Sequence, residues 1–142
     1  MKSQSKINPK KSIAIISTYA PSLISFKGNL ISHLVDSGLN VYVLCPNYNT
    51  DIKNQVIRLK AKPIDIDLER SGLNPFQDIS CCIKLVTTLK RIKVNCVLAY
   101  YCKPVIYGLI ASYLANIKER FALIEGLGFA FTKDPNKFSL KR

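Results

Sequence analysis

Four short runs of this chain are apolar along nearly their whole length: Ser12–Ser17 (SIAIIS), Asn40–Cys45 (NVYVLC), Val94–Tyr100 (VNCVLAY) and Phe121–Glu125 (FALIE). A strand with one solvated face alternates apolar and polar residues, whereas a strand that does not alternate is covered on both faces. The stretches between these runs carry helical periodicity instead. Phe26–Ser37 places Leu30, Ile31, Leu34 and Val35 on one face and stops at Gly38. Asp51–Leu59 is expected to form a short helix capped by Thr50 or Asp51, and Lys62–Ile66 a poorer strand. Asn74 then caps a helix with Pro75 at its first position and Gln77 three residues on, a capping-box arrangement. Phe76, Ile79, Cys82, Ile83, Val86, Leu89 and Ile92 are expected to point inward from it. A further helix over Pro104–Asn116 leads into the last strand.

Fully apolar strands separated by helices imply a parallel sheet with crossover connections. The fold class is therefore α/β, a Rossmann-like sheet of about five strands with helices on both faces. At 142 residues the chain fits one domain. Its expected limits are residues 12–132, with a basic tail over 1–11 and a second basic tail or linker over 133–142. With 48% apolar residues the chain can bury a core, which excludes disorder for most of it. The longest uncharged apolar-rich runs, Ser12–Phe26 and Pro104–Ile117, hold 15 and 14 residues. Both fall short of the ~18 residues of a membrane-spanning helix. Lys2, Lys6, Lys10 and Lys11 precede an apolar stretch that Ser17 and Thr18 dilute at once, too thin for a secretory signal. The five cysteines are odd in number and show no paired spacing, which agrees with a cytoplasmic location. His33 is the only histidine, so a metal site is not expected.

The net charge of +12 is unevenly placed. Residues 1–11 carry +4, Lys133–Arg142 carry +3, and Lys84, Lys90, Arg91 and Lys93 add +4 along one expected helix. Such charge suits an anionic membrane surface or nucleic acid, or is simply a solvated face with basic ends. Aromatic residues do not interleave with these bases as a single-strand-binding surface requires, so nucleic acid ranks below membrane.

In open α/β sheets ligands bind beyond the carboxyl ends of the strands. After the first strand there is no dinucleotide fingerprint. Ser25-Phe26-Lys27-Gly28 stands near a helix start instead, where free N–H groups favour anions. Lys27 there either faces a phosphate or is an exposed lysine, with Gly28 present for tight packing. The third loop, Glu69 to Pro75, contains Arg70, which gains nothing from a helix N-terminus and so invites a ligand or carboxylate partner, and Asn74, which starts the helix. Lys103, ahead of Pro104, sits at a strand's carboxyl end where it could meet an anion. Its neighbour Cys102 has no adjacent histidine to activate a thiol. Glu125 ends an apolar strand and must reach water or find a partner, while Gly126 and Gly128 let backbone approach something closely. No paired-carboxylate spacing, GxSxG or P-loop occurs.

In order, Phe26-Lys27-Gly28, Cys45-Pro46-Asn47-Tyr48, Arg70-Ser71-Gly72-Leu73-Asn74-Pro75, Lys103-Pro104-Val105-Ile106-Tyr107-Gly108 and Glu125-Gly126-Leu127-Gly128-Phe129-Ala130-Phe131-Thr132 resemble family-4, GT-B-type bacterial glycosyltransferases of capsule, O-antigen and protein-glycan synthesis. The resemblance covers about Ser12–Thr132. Lys27 stands where the family tends to have Arg, and Cys102 where relatives acting on undecaprenyl-diphosphate sugars often have His. The resemblance implies the N-terminal, acceptor-side half of a two-domain enzyme. Lys27, Gly28, Arg70, Asn74 and Lys103 would then contact a lipid-diphosphate-linked sugar, and Glu125, Gly126 and Gly128 would shape the acceptor end of the cleft. No catalytic residue is assigned. A nucleotide-sugar donor belongs to a second domain that the chain is expected to lack, no metal or other cofactor is expected, and a separate donor-domain chain is a conceivable partner. The implied location is the cytoplasmic face of the plasma membrane, held peripherally.

Overall fold

The computed structural model describes residues 11–68 and 75–124. Strands run over Ser12–Ile16 (β1), Asn40–Cys45 (β2), Lys62–Asp65 (β3), Cys96–Tyr100 (β4) and Glu119–Leu123 (β5). They form one parallel sheet in the order β3-β2-β1-β4-β5. Helices cover Ala20–Ser25 (α1), Gly28–Asp36 (α2), Thr50–Arg58 (α3), Pro75–Ile92 (α4) and Leu109–Leu114 (α5), with a π-helical turn over Pro104–Gly108 leading into α5.

β1 is the axis of the molecule. All five of its residues are buried, and it pairs Ser12↔Asn40 through Ile16↔Leu44 on one side and Ile13↔Cys96 through Ile16↔Ala99 on the other. Because strand side chains alternate, the sheet feeds two separate cores. Ile13, Ile15, Val41, Val43, Cys45 and Tyr100 pack under α1, α2 and α3 with Leu23, Ile31 and Val56. Ala14, Ile16, Leu44, Val97 and Ala99 pack under α4 and α5 with Leu85, Leu89 and Ala111. At the foot of the sheet Asn95 Oδ1 accepts hydrogen bonds from the Ser12 backbone N–H (2.9 Å) and hydroxyl (3.1 Å), tying β1 to the entry of β4.

Several local readings need revision. The stretch expected to lead from β1 straight into one helix instead builds α1 first, with Pro21 in its first turn, before α2 begins at Gly28. The cap of α3 is Asn49, whose side chain accepts from Ile52 N–H at 2.8 Å, and not Thr50 or Asp51. The stop at Gly38 holds: its φ of 88° is the left-handed geometry that ends α2, with Leu39 N–H donating to Leu34 C=O.

The larger revisions concern the second layer. α4 buries Cys81, Leu85 and Leu89, while Phe76, Ile79 and Ile83, expected inside, are 85%, 58% and 63% exposed. Its apolar residues outnumber the face that the sheet can cover, so periodicity alone placed the stripe too far round the helix. β5 likewise is not covered on both faces: Phe121 and the following Ile124 are 55% and 68% exposed on this edge strand, although their run is wholly apolar. The Pro104–Asn116 helix opens with a π turn, where Gly108 lies against β1 and β4. A Cβ added there would stand 3.2 Å from Ile16 Cδ1 and 3.5 Å from Ala99 Cβ. Gly108→Ala is expected to need only a small shift of the Ile16 side chain. Gly108→Val should overpack this contact and lower stability by about 1–3 kcal/mol in urea unfolding.

Candidate functional site

The order β3-β2-β1-β4-β5 switches sides at β1, so the carboxyl ends of β1 and β4, which lead into α1 and the π turn, are the place where open α/β sheets form their ligand crevice. The residues leaving β1 shape one wall. Ser17 Oγ accepts from Tyr19 N–H (3.2 Å), and Ser22 Oγ donates to Tyr19 C=O (2.7 Å), so two hydroxyls brace the turn into α1. Ser17 N–H donates to Leu44 C=O (2.9 Å) and carries the ladder one residue past β1.

The other wall is aromatic. Tyr100 ends β4 fully buried, and Tyr101 follows with φ 73°, a left-handed conformation that a bulky side chain rarely takes. In a continuing strand two successive rings would point to opposite faces. The turn at Tyr101 brings both rings to the α1–α3 layer, with centroids 5.0 Å apart. The Tyr100 hydroxyl lies beside the hydroxyls of Ser17 and Ser22, with no partner in hydrogen-bonding geometry among the described residues. Burial pushes the phenol up to about 12, so it stays protonated. Cys45 at the end of β2 is likewise pushed up by burial to about 12, an inert thiol.

Lys27, the cap residue of α2, sets its ammonium 5.4 Å from the centroid of the Tyr100 ring. A cation at the crevice mouth, beside the start of α2, suits an anionic ligand. Gly28 is not needed for tight packing, since nothing lies within 4 Å of an added Cβ. It borders an open groove of about 390 Å³ between α2 and α3, together with Asn29, Ser32 and Arg58. On the far side of the rim a cleft of about 490 Å³ lies between the exits of β2 and β3 and the start of α4, lined by Asn47, Tyr48, Asp67, Gln77, Ser80 and Lys84. Lys84 and Asp67 are ion-paired across it at 2.6 Å.

Lys103 has a different role from the one its position suggests. Its ammonium is 2.9 Å from Asp78 Oδ1, and the Tyr107 hydroxyl donates to Asp78 Oδ2 at 2.9 Å. Both members of the ion pair are largely buried. Three residues from α4 and the π turn thus form a clamp behind the crevice. Lys27 and Lys103 both stand at the carboxyl ends of the strands, but against opposite layers. Arg70, Asn74, Glu125, Gly126 and Gly128 lie outside the described residues. Among the described residues, no cluster of three or more His, Cys, Asp or Glu is placed to hold a metal ion. Sequence reasoning missed Tyr100, Tyr101 and Asp78. The only signal for the first two was a tyrosine pair closing an apolar run, and nothing local to Asp78 pointed to Lys103.

The Lys103 hydrogen bond, joined by that from Tyr107, holds the Asp78 carboxyl below the usual carboxylate range. A carboxylate with a depressed folded-state pKa stabilises the protein above its unfolded value, and the benefit disappears as pH falls through the folded one. Asp78→Asn should therefore lower Tm by several degrees at neutral pH, with the gap to wild type closing below about pH 4. Lys103→Met, which strands a buried carboxylate, should cost more than the double replacement Asp78→Leu/Lys103→Met. Thermal melts from pH 7 to 3 measure both.

A family model described as "Glycosyl transferase 4-like" matches residues 12–142. The N,N'-diacetylbacillosaminyl-diphospho-undecaprenol alpha-1,3-N-acetylgalactosaminyltransferase of Campylobacter jejuni is 30% identical over 131 residues, which is 92% of this chain and 34% of that protein. The chain thus spans about a third of that relative's length. Among solved structures, MurG of Acinetobacter baumannii aligns with a TM-score of 0.57 at 19% identity, over 82% of this chain and 33% of its own. A glycosyltransferase from Rickettsia africae gives 0.58 at 16%, over 82% and 29%, and a UDP-N-acetylglucosamine 2-epimerase 0.61 at 17%, over 87% and 35%. At these identities the solved structures speak for the fold, a five-stranded half of the GT-B type. The family rests on the sequence matches, and by them the chain belongs to the glycosyl transferase 4-like family as an N-terminal domain.

Proposed function

We propose that this chain is the acceptor-side domain of a glycosyltransferase of bacterial polysaccharide or protein-glycan synthesis, and that its acceptor is a lipid-diphosphate-linked sugar. The observation that carries the proposal is the Lys27 ammonium at the start of α2, over the ring of Tyr100 at the carboxyl end of β4. The Campylobacter relative, whose name gives a diphospho-undecaprenol acceptor, supports it. In this reading Lys27 and the start of α2 meet the diphosphate, and the crevice wall of Tyr100 and Tyr101 sets where the ammonium sits. Arg70, Asn74, Glu125, Gly126 and Gly128, to which the family resemblance gives the same role, are proposed to complete the acceptor site. Lys103 serves it indirectly, since its charge is committed to Asp78.

The nucleotide-sugar donor belongs to a second domain, on a longer polypeptide or on a separate chain. Transfer goes through charge stabilisation of the departing diphosphate, to which this half contributes acceptor placement. The domain works at the inner face of the plasma membrane, drawn there by its basic charge; among the described residues no helix is long and apolar enough to cross a membrane.

Binding of a water-soluble, short-chain polyprenyl-diphosphate sugar, followed by calorimetry, tests the acceptor site. Lys27→Ala should weaken it roughly ten- to hundredfold, the range of a charge-assisted hydrogen bond, and Lys27→Arg should largely restore it. Unchanged affinity in Lys27→Ala would remove the residue on which the reading turns. The isolated 142-residue chain should transfer no sugar from any UDP-sugar to that acceptor; product formed by it alone would contradict the division of labour.

A further inference from the structure

The chain leaving β4 crosses the rim of the sheet from one layer to the other within four residues. Tyr100 turns its ring to the α1–α3 layer, and Lys103 turns its ammonium to Asp78 of α4. Between them Tyr101 holds a φ of 73°. A left-handed conformation at a bulky residue persists only where the surroundings hold it. One restraint is local, since Val105 N–H donates to Tyr101 C=O at 3.0 Å. The other comes from the far layer.

That second restraint differs from the other ion pairs among the described residues. Lys53–Asp65 and Lys84–Asp67 join exposed side chains, which separate at little cost. In the Lys103–Asp78 pair the side chains are only 14% and 8% exposed. Each carboxylate oxygen of Asp78 has its own donor, the Lys103 ammonium on Oδ1 and the Tyr107 hydroxyl on Oδ2. Separating a buried pair strands a charge away from water, so Lys103 stays fixed to α4. Asp78 itself stands in the first turn of this 18-residue helix, where negative charge is favoured. The anchor is therefore a rigid element.

What the anchored stretch carries is the platform under Lys27. Cys102 alone separates the pinned Lys103 from Tyr101, so the left-handed turn cannot relax into a continuing strand. A relaxed turn would send the Tyr101 ring to the opposite face. Tyr100 would then lose the ring packed 5.0 Å from its own, and with it the fixed face that the Lys27 ammonium covers at 5.4 Å. We infer that Asp78 and Tyr107 are positioning residues for Lys27: by pinning Lys103 they hold the Tyr101 turn, and through it the ring over which the ammonium sits. The inference rests on the proposed role of Lys27 and extends it to side chains of the opposite layer.

The test has a readout that needs no ligand. Protons over a ring face resonate upfield, so the Lys27 Cε–Hε signal of the full chain labelled with 13C-lysine reports where the ammonium sits. Its absence from Lys27→Arg assigns it. Below the melting transition, Asp78→Ala should abolish the upfield displacement, and Tyr107→Phe should reduce it. Leu89→Ala, which destabilises α4 at its other end, should leave it in place. Calorimetry with the short-chain polyprenyl-diphosphate sugar should show affinity lowered roughly two- to thirtyfold in Asp78→Ala, and less in Tyr107→Phe.

An unmoved signal in both clamp variants would overturn the inference, as would Leu89→Ala moving it equally. So would a rise in affinity in Asp78→Ala, which would show the released Lys103 meeting the diphosphate itself. The two readings fail separately. A signal that moves while Lys27→Ala binds as wild type rejects only the acceptor role of Lys27. A signal that stays while Lys27→Ala loses binding rejects only the positioning.

Discussion

Burial of β1 on both faces and both edges is the constraint from which the other features follow. Its residues give the ladder hydrogen bonds to β2 and β4 and divide their side chains between two cores. Each backbone N–H and C=O in such a strand must be paired, because water does not reach it. Parallel neighbours supply the pairing only if the chain crosses over between strands, and the crossovers return every strand in the same sense. The carboxyl ends are thereby collected on one rim, so the central strand's burial determines where a ligand can be met.

At that rim the chain accepts local strain and a poorly satisfied hydroxyl. Tyr101 takes a left-handed conformation, and the Tyr100 hydroxyl sits buried between two serines. Sparsely populated conformations cost roughly 1–3 kcal/mol and persist where surrounding structure fixes them. Here the result is two tyrosine rings on one layer and a platform under a lysine ammonium. The Asp78–Lys103–Tyr107 clamp supports the same rim from the opposite layer, joining the start of α4 to the turn after β4.

The sheet was legible in the sequence because fully buried strands leave an unmistakable signature: wall-to-wall apolar runs over Ser12–Ser17, Asn40–Cys45 and Val94–Tyr100. The same rule misled for FALIE: the edge strand runs over Glu119–Leu123, takes in Glu119 and Arg120, and leaves Phe121 exposed. Helical periodicity found α4 but misplaced its inner face, because a helix apolar on more than one side has no single preferred orientation in sequence. That Lys27 stands near the carboxyl ends of the strands could be read from topology alone. What Lys103 touches could not, as its partner is 25 residues away on another element and a lysine before a helix looks the same whether it waits for a ligand or already holds a carboxylate.

Dividing the side chains of one strand between two layers also decides how far a substitution is felt. Ile13 and Ile15 answer to the α1–α3 layer, and Ala14 and Ile16 to the α4–α5 layer. A change of volume in one layer therefore reaches the other through the β1 backbone and not through side-chain contact. The two halves of the core can drift in sequence almost independently, so long as the strand between them keeps its ladder.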